Sequence, residues 1–379
     1  MKKLSRRAFI ARAGASAAGL FALGMPLRAV SAAAEAVPAG YAPDYADIIA
    51  GAKAEGRLLV YSNMSLHNWK AVIEGFSARF PGIKVDMLDV GSRESVERYL
   101  AEAATGVATA DLIATASQPG WIDMHQRKEM LDYVSPEAGA WPAWSRPFPG
   151  LYTISTDPLV FAWNALQVPA AERSKTFADF AQAATRNKTR WANRVTTYSP
   201  LTSPFGYVTH WYFIKHHGER GWDYLRAIGA LPPRLENTGG PQMEKVTSGE
   251  YVASYFMSGI TAWPRMEDPA RAKFLDWNYI GDGQPLMMRG IAIPRVSKNP
   301  NAAKLMLDHI LSAEGQLAFG RGGLTPARPG LKPGNGVRAT YSSVVEAVGE
   351  KNAILLGYDL ALMQEYDAFQ AKLRDVYQR

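Results

Sequence analysis

Three short apolar runs separated by helical periodicity restrict this chain to an α/β architecture. Leu58-Leu59-Val60-Tyr61, Ile83-Lys84-Val85-Asp86-Met87-Leu88 and Asp111-Leu112-Ile113-Ala114-Thr115 have strand character, and the stretches between them repeat apolar residues every three or four positions. Trp69, Val72, Ile73 and Phe76 share one helical face, as do Val96, Tyr99, Leu100 and Ala103. This β-α-β-α-β alternation predicts parallel strands joined by right-handed crossovers in a doubly wound sheet. Ligands of such sheets sit beyond the carboxyl ends of the strands, which here are the loops at 62–65, 91–93 and 116–118.

A chain of 379 residues exceeds the size at which one core usually keeps growing, so two domains are expected. The Pro- and Trp-rich stretch 141–149 breaks the pattern, and 151–163 resumes as strand, interrupted at Asp157-Pro158. Further on, Arg194-Val195-Thr196-Thr197-Tyr198 feeds the loop Ser199-Pro200-Leu201-Thr202-Ser203-Pro204-Phe205, in which Ser203 is placed to cap a helix that starts at Pro204. The free N–H groups of such a helix start, at the positive end of its dipole, suit an anion. Asn237-Thr238-Gly239-Gly240-Pro241 is a second loop of this kind, and the strand 254–257 ends at Ser258-Gly259. His216-His217 before Gly218 reads as a helix end, where imidazolium favours the negative dipole end. The C-terminal stretches 341–348 and 353–373 read as helices, the second with Leu356, Leu360, Met363 and Phe369 facing the fold.

The segment 290–319 contains Gly-Ile-Ala-Ile-Pro, a polar turn, Asn-Pro-Asn-Ala-Ala-Lys and Ser-Ala-Glu-Gly-Gln. Asn299 is a candidate cap with Pro300 at the first helical position, and Ser312 a candidate cap for a second helix. With Leu59-Val60-Tyr61, Thr109-Ala110-Asp111-Leu112 and Ser248-Gly249-Glu250, this segment resembles family 1 extracellular solute-binding proteins, in the branch that contains the periplasmic ferric-ion-binding proteins. The resemblance runs from Leu58 to about Gly330. It implies a type II periplasmic binding protein fold of two lobes, each a doubly wound, mainly parallel sheet flanked by helices. Lobe 1 is expected at 41–150 and 288–336, and lobe 2 at 153–286 and 337–379.

Residues 1–32 belong to another class. Lys2, Lys3, Arg6 and Arg7 open them, small apolar residues follow, and Ala-Val-Ser-Ala ends them at a cleavable site. Ser5-Arg6-Arg7-Ala8-Phe9-Ile10 matches the twin-arginine export pattern, with Ala11 at the commonly basic position. The segment holds six basic residues and no acid of a chain whose formal net charge is +7, so the remainder is close to neutral and a nucleic-acid partner loses its electrostatic support. The chain has no cysteine, hence no disulfide, thiolate metal site or cysteine nucleophile. A soluble, monomeric periplasmic protein, exported folded by the twin-arginine translocase, is expected.

Ferric-ion binders of the resembled family place adjacent tyrosines just after the strand that follows Ser/Asn-Gly-Glu, with a histidine and a glutamate from the first lobe. Here the tyrosine positions hold Gly259-Ile260, with Tyr251 and Tyr255 earlier; the glutamate falls near Ala116 or Ser117 and the histidine near Ser65, beside His67. A bare ferric site is therefore not carried over, and no metal or cofactor is assigned. The strand-end positions offer Ser62, Asn63, Ser117, Gln118, Thr202, Ser203, Thr238, Gly239 and Ser258, neutral donors that suit a small oxygen-rich ligand. Arg93 is the candidate fork for a carboxylate or phosphate, with Arg265 and Arg289 as alternatives. Trp121, Trp211, Trp263 and Trp277 are candidates for the cleft or for the core.

No Gly-x-Ser-x-Gly, Gly-x-Gly-x-x-Gly, phosphate-binding Gly-Lys-Ser/Thr loop or His-Glu-x-x-His occurs, so no catalytic residue is assigned. The resulting expectation is a substrate-binding protein that supplies the permease of an inner-membrane ABC importer, closing on a small organic anion by a hinge. The alternatives are a ferric-chelate binder, and an exported enzyme or sensor partner on the same fold.

Overall fold

The computed structural model describes residues 36–107 and 109–378, so the export segment lies outside it. The chain opens with α1 (Tyr45–Glu55), β1 (Arg57–Ser62), α2 (Leu66–Arg79), β2 (Lys84–Asp89), α3 (Glu94–Thr105), β3 (Leu112–Thr115) and α4 (Gln118–Gln126). These are the predicted strand-helix alternations, with β1 parallel to both β2 and β3. The long strand β4 (Tyr152–Asn164) then leads to α5 (Phe177–Arg186), α6 (Lys188–Trp191), β5 (Val195–Tyr198), α7 (Pro204–His217), α8 (Glu219–Gly229), β6 (Arg234–Glu236), α9 (Gly239–Ser248) and β7 (Ala253–Ser258). After α10 (Gly259–Glu267), α11 (Pro269–Ala272) and β8 (Leu275–Asn278), β9 (Gln284–Ala292) returns the chain to α12 (Pro300–Leu311) and α13 (Ala313–Arg321). It closes with α14 (Tyr341–Val348), β10 (Ala353–Leu356), α15 (Ala361–Gln364) and α16 (Tyr366–Tyr377).

The strands run in the order β2-β1-β3-β9-β4-β7-β5-β6, with β10 beside β9 and β8 beside β4. Each end is a parallel group, since β5 pairs in parallel with β6 and β7. The middle is antiparallel, because β9 runs against both β3 and β4 and β4 runs against β7. Two α/β halves thus share the central strands β4 and β9.

The interruption expected at Asp157-Pro158 does not occur: β4 is continuous and every one of its 13 residues is buried. Pro158 sits where the partner changes. The pairing with β9 runs from Tyr152↔Ile291 to Pro158↔Leu286, and the pairing with β7 starts at Leu159↔Ser258. Proline lacks an N–H, so it is tolerated where a ladder ends.

One core holds Trp69, Phe76, Leu305, Ile310 and Phe319 in the first half. A second runs from Tyr99 and Trp121 into Phe161, Phe177 and Phe180, whose rings pack at centroid distances of 4.9–6.1 Å. Ser312 caps α13, accepting from the Gly315 amide at 3.1 Å. Asn299 does not cap α12 with its side chain. Acids do so instead: Asp111 Oδ1 accepts from the Asn299 amide at 3.0 Å, and Glu55 accepts from the amides of Asn301 and Ala302 at 3.1 and 2.7 Å.

Two further expectations are corrected. Residues 353–356 form β10, parallel to β9, and Leu360 and Met363 are 45% and 50% exposed instead of facing the core. The Leu-rich spacing there is compatible with either period, and β9 supplies the free edge that decides it. His217 at the end of α7 is half-buried, and the desolvation, with His216 beside it, pushes its pKa down to about 4, so it is neutral and gains nothing from the helix dipole at neutral pH.

Candidate functional site

The strand crossing carries a buried ion pair. The Arg289 guanidinium on β9 donates through Nε to Asp157 Oδ2 on β4 at 2.5 Å, with side chains only 6% and 1% exposed. Ser155 Oγ donates to the same carboxylate oxygen at 3.0 Å, and the Thr325 amide to Oδ1 at 3.0 Å. Burial pushes the Asp157 carboxyl up from the usual carboxylate range, and the guanidinium and these two donors pull against it. Arg289 Nη1 donates to Asn63 Oδ1 at 3.0 Å, and the Ala116 amide donates to the same oxygen at 3.4 Å. Nη2 has no partner among the described residues and is not sealed from solvent. One donor edge of a fixed cation is therefore left free where the two halves meet.

Opposite it stands Tyr198, at the carboxyl end of β5. Burial pushes its phenol up to about 12, eased by the Thr261 hydroxyl, the Ser258 backbone, Arg289 and Arg265. A Cβ at Gly239 would lie 2.4 Å from the Tyr198 hydroxyl, so only glycine lets this phenol approach the start of α9. Three strand ends of the second half, those of β5, β6 and β7, thus converge on one hydroxyl.

Beside this floor a crevice of about 510 Å³ separates α3 and α4 from the β5–α7 loop and the C-terminal helices. Four of the sequence candidates, Arg93, Ser117, Thr202 and Ser203, line it together. Two helices of opposite halves, α4 and α7, begin at its walls, and Ser203 caps α7 by accepting from the Gly206 amide at 3.5 Å. Thr202 Oγ1 is held by Asn237 Oδ1 at 2.6 Å. Arg93 is exposed and pairs with Glu97 at 2.5 Å on its own helix.

Ser258 and Gly239 fall around Tyr198, while Thr238 is exposed and offers its carbonyl to Gln242 at 3.2 Å. Two candidates face inward. Ser62 Oγ accepts from Trp69 Nε1 at 3.0 Å and from the Met64 amide at 3.1 Å. Gln118 is fully buried and donates to the carbonyls of Met288 and Leu356 at 2.8 and 3.0 Å, tying α4 to β9 and β10. Both therefore serve the fold. Arg265 is occupied by Glu244 at 3.3 Å and by the Thr261 carbonyl at 2.9 Å.

The earlier tyrosines are engaged elsewhere, Tyr251 with Glu236 and Lys245 at 3.0 Å each and Tyr255 with Tyr377 at 2.9 Å. None of the four candidate tryptophans lines the crevice, and Trp121 and Trp211 are core. Among the described residues no group of three His, Asp or Glu is placed to hold a metal ion. Nor is any helix long and apolar enough to cross a membrane.

A family model described as bacterial extracellular solute-binding protein matches residues 71–341. No curated protein matches. Among similar solved structures is the substrate-binding protein of an ABC transporter from Agrobacterium tumefaciens, 20% identical with a TM-score of 0.74 over 85% of this chain and 94% of that one. Another is the periplasmic binding protein AfuA from Actinobacillus pleuropneumoniae with fructose-6-phosphate bound, 16% identical, TM-score 0.68, covering 86% and 99%. A third is IdiA (FutA) from Trichodesmium with iron and citrate ligands, 19% identical, TM-score 0.63, covering 84% and 98%. At these identities the likeness is one of fold: the two-lobed type II periplasmic binding protein.

Proposed function

This chain belongs to the bacterial extracellular solute-binding proteins, and from that premise we propose that it captures a small organic anion, a carboxylate or a phosphorylated metabolite, between its two halves. The observation that carries the reading is Arg289, held rigidly by Asp157 and Asn63 with Nη2 unpaired at the meeting of the halves. A guanidinium fixed this way recognises an oxyanion with little further loss of side-chain entropy. The helix starts at α4 and α7 add positive potential from opposite walls. Fructose-6-phosphate and citrate, named with two structural neighbours, are anions of this class.

Contacts from both halves stabilise the closed form, with the boundaries at 41–150 and 288–336 for one lobe and 153–286 and 337–379 for the other. β4 and β9 are the joint. The closed, loaded form is what a permease of an ABC importer recognises in the periplasm, after export by the twin-arginine route as a monomer. The chain acts by binding and not as an enzyme.

A thermal-shift screen of the purified chain against organic acids, phosphorylated metabolites and ferric chelates tests this. A ligand at about a hundred times its dissociation constant adds about 3 kcal/mol of stability. Stabilisation by acids or phosphates that vanishes in Arg289→Met supports the reading; stabilisation by ferric chelates alone replaces it with the chelate alternative.

A further inference from the structure

We infer that the captured anion carries an apolar tail, and that this tail occupies the crevice beside the Arg289 floor. The inference rests on the anion reading above and narrows its substrate class. The volume, about 510 Å³, suits a small organic molecule. Val96, Leu100 and Ile122 face Leu201, Tyr207 and Met363 across it.

The outer part of this lining is poorly covered. Met363 and Tyr366 line the crevice while remaining 50% and 43% exposed, with Leu360 nearby in sequence at 45%. Adjacent apolar side chains left open at the mouth of a cleft mark a surface that a ligand covers. The acids on the walls do not repel an anion strongly, because Glu97 and Asp123 are each paired one turn away, with Arg93 at 2.5 Å and Arg127 at 2.7 Å. Ser117 lines the crevice, and the preceding Ala116 amide shares Asn63 Oδ1 with Arg289. An anion headed toward Arg289 with its hydrocarbon pointing outward meets both halves of this lining. A polyol in the same place would press its hydroxyls against Val96 and Leu100 without partners.

The test is calorimetric titration of the purified chain with straight-chain monocarboxylates from butanoate to decanoate, and with the dicarboxylates of equal length. Each methylene buried tightens binding about fourfold until the crevice is filled, and the dicarboxylates bind more weakly than their monoacid counterparts. Met363→Glu weakens the longest acid roughly tenfold or more, leaves the shortest unchanged and, as the side chain is half exposed, leaves the melting temperature in place. Affinity that depends on Arg289 but not on chain length overturns the tail and leaves the anion site standing. Failure of every acid to bind overturns the tail, and the anion reading falls with it when the phosphorylated metabolites of the thermal-shift screen also give no stabilisation that depends on Arg289.

Discussion

The Arg289 guanidinium reaches Asp157 diagonally across the β4–β9 ladder, since Arg289 is opposite Ser155 and Asp157 opposite Met287. The pair therefore spans the joint at its change of partner, one residue before Pro158. Any motion that slides β4 along β9 works against this contact, so the cation and the two strands that the halves share are mechanically one unit.

Removing one member of this pair leaves an uncompensated buried charge. Arg289→Met is expected to cost roughly 3–5 kcal/mol, Asp157→Asn a similar amount, and the double variant less than the sum. Urea unfolding of the three proteins measures this. Additive losses of under about 1 kcal/mol each would mean that the pair is solvated and the cation not preset.

Much of the architecture was legible because burial on both faces gives β1 and β3 unbroken apolar runs. Site chemistry was legible in part. Arg93 stood out by its loop position, yet it is exposed; Arg289 was only an alternative to it, because what fixes its guanidinium is Asp157, 132 positions away. Tyr198 carried no local signal either, since the feature that shapes its surroundings is the missing side chain of Gly239 on another loop. Gln118 and Ser62 have the composition of ligand donors, and only the backbone brought to them by β9, β10 and α2 shows that they are already used.

Acid sensitivity should originate in the buried histidines, His309 of α12 and, in the second half, His210. His210 is fully buried, with Nδ1 2.7 Å from the Gly206 carbonyl and Nε2 3.0 Å from the Tyr377 hydroxyl, and burial lowers its pKa to about 4. The unfolded chain binds a proton near 6.5 and the folded one does not until about 4, so the contribution is complete above 6.5 and is lost as pH falls through that window. By pH 5 the loss is about 2 kcal/mol from this residue, and His217, lowered for the same reason, adds to it. His210→Gln should flatten the fall in the urea midpoint between pH 7 and 5; an equally steep fall assigns it to other groups.

Asp308 on α12 acts with the opposite sign. Tyr45 and Tyr133 both donate to its Oδ2 at 2.7 Å, but burial dominates and raises the carboxyl to about 6. Between about 4 and 6 the folded state holds a proton that the unfolded state has released, so stability from this site falls as pH rises, by about 2–3 kcal/mol across the window. It therefore offsets part of the histidine effect. Asp308→Asn should make the acid loss between pH 6 and 4 steeper than in the parent; an unchanged loss would show that its carboxyl titrates in the ordinary range, and a shallower one that folding lowers it.

Closure can be probed without knowing the solute. Ile260, two residues past the end of β7, packs against the core cluster of the first half that contains Trp69 and Phe319. This apolar contact joins the halves, and under the proposed hinge motion it is lost when they separate. Ile260→Ser removes it and exposes no deep cavity, because the side chain is only partly buried. The loss of roughly 1–2 kcal/mol falls on the closed state alone and shifts the closed-to-open ratio by about ten. Small-angle scattering of the unliganded variant should show a larger radius of gyration than the parent, with a urea midpoint lowered by no more than this loss. A variant as compact as the parent but less stable would place Ile260 in a permanent core and remove the hinge from this side of the site.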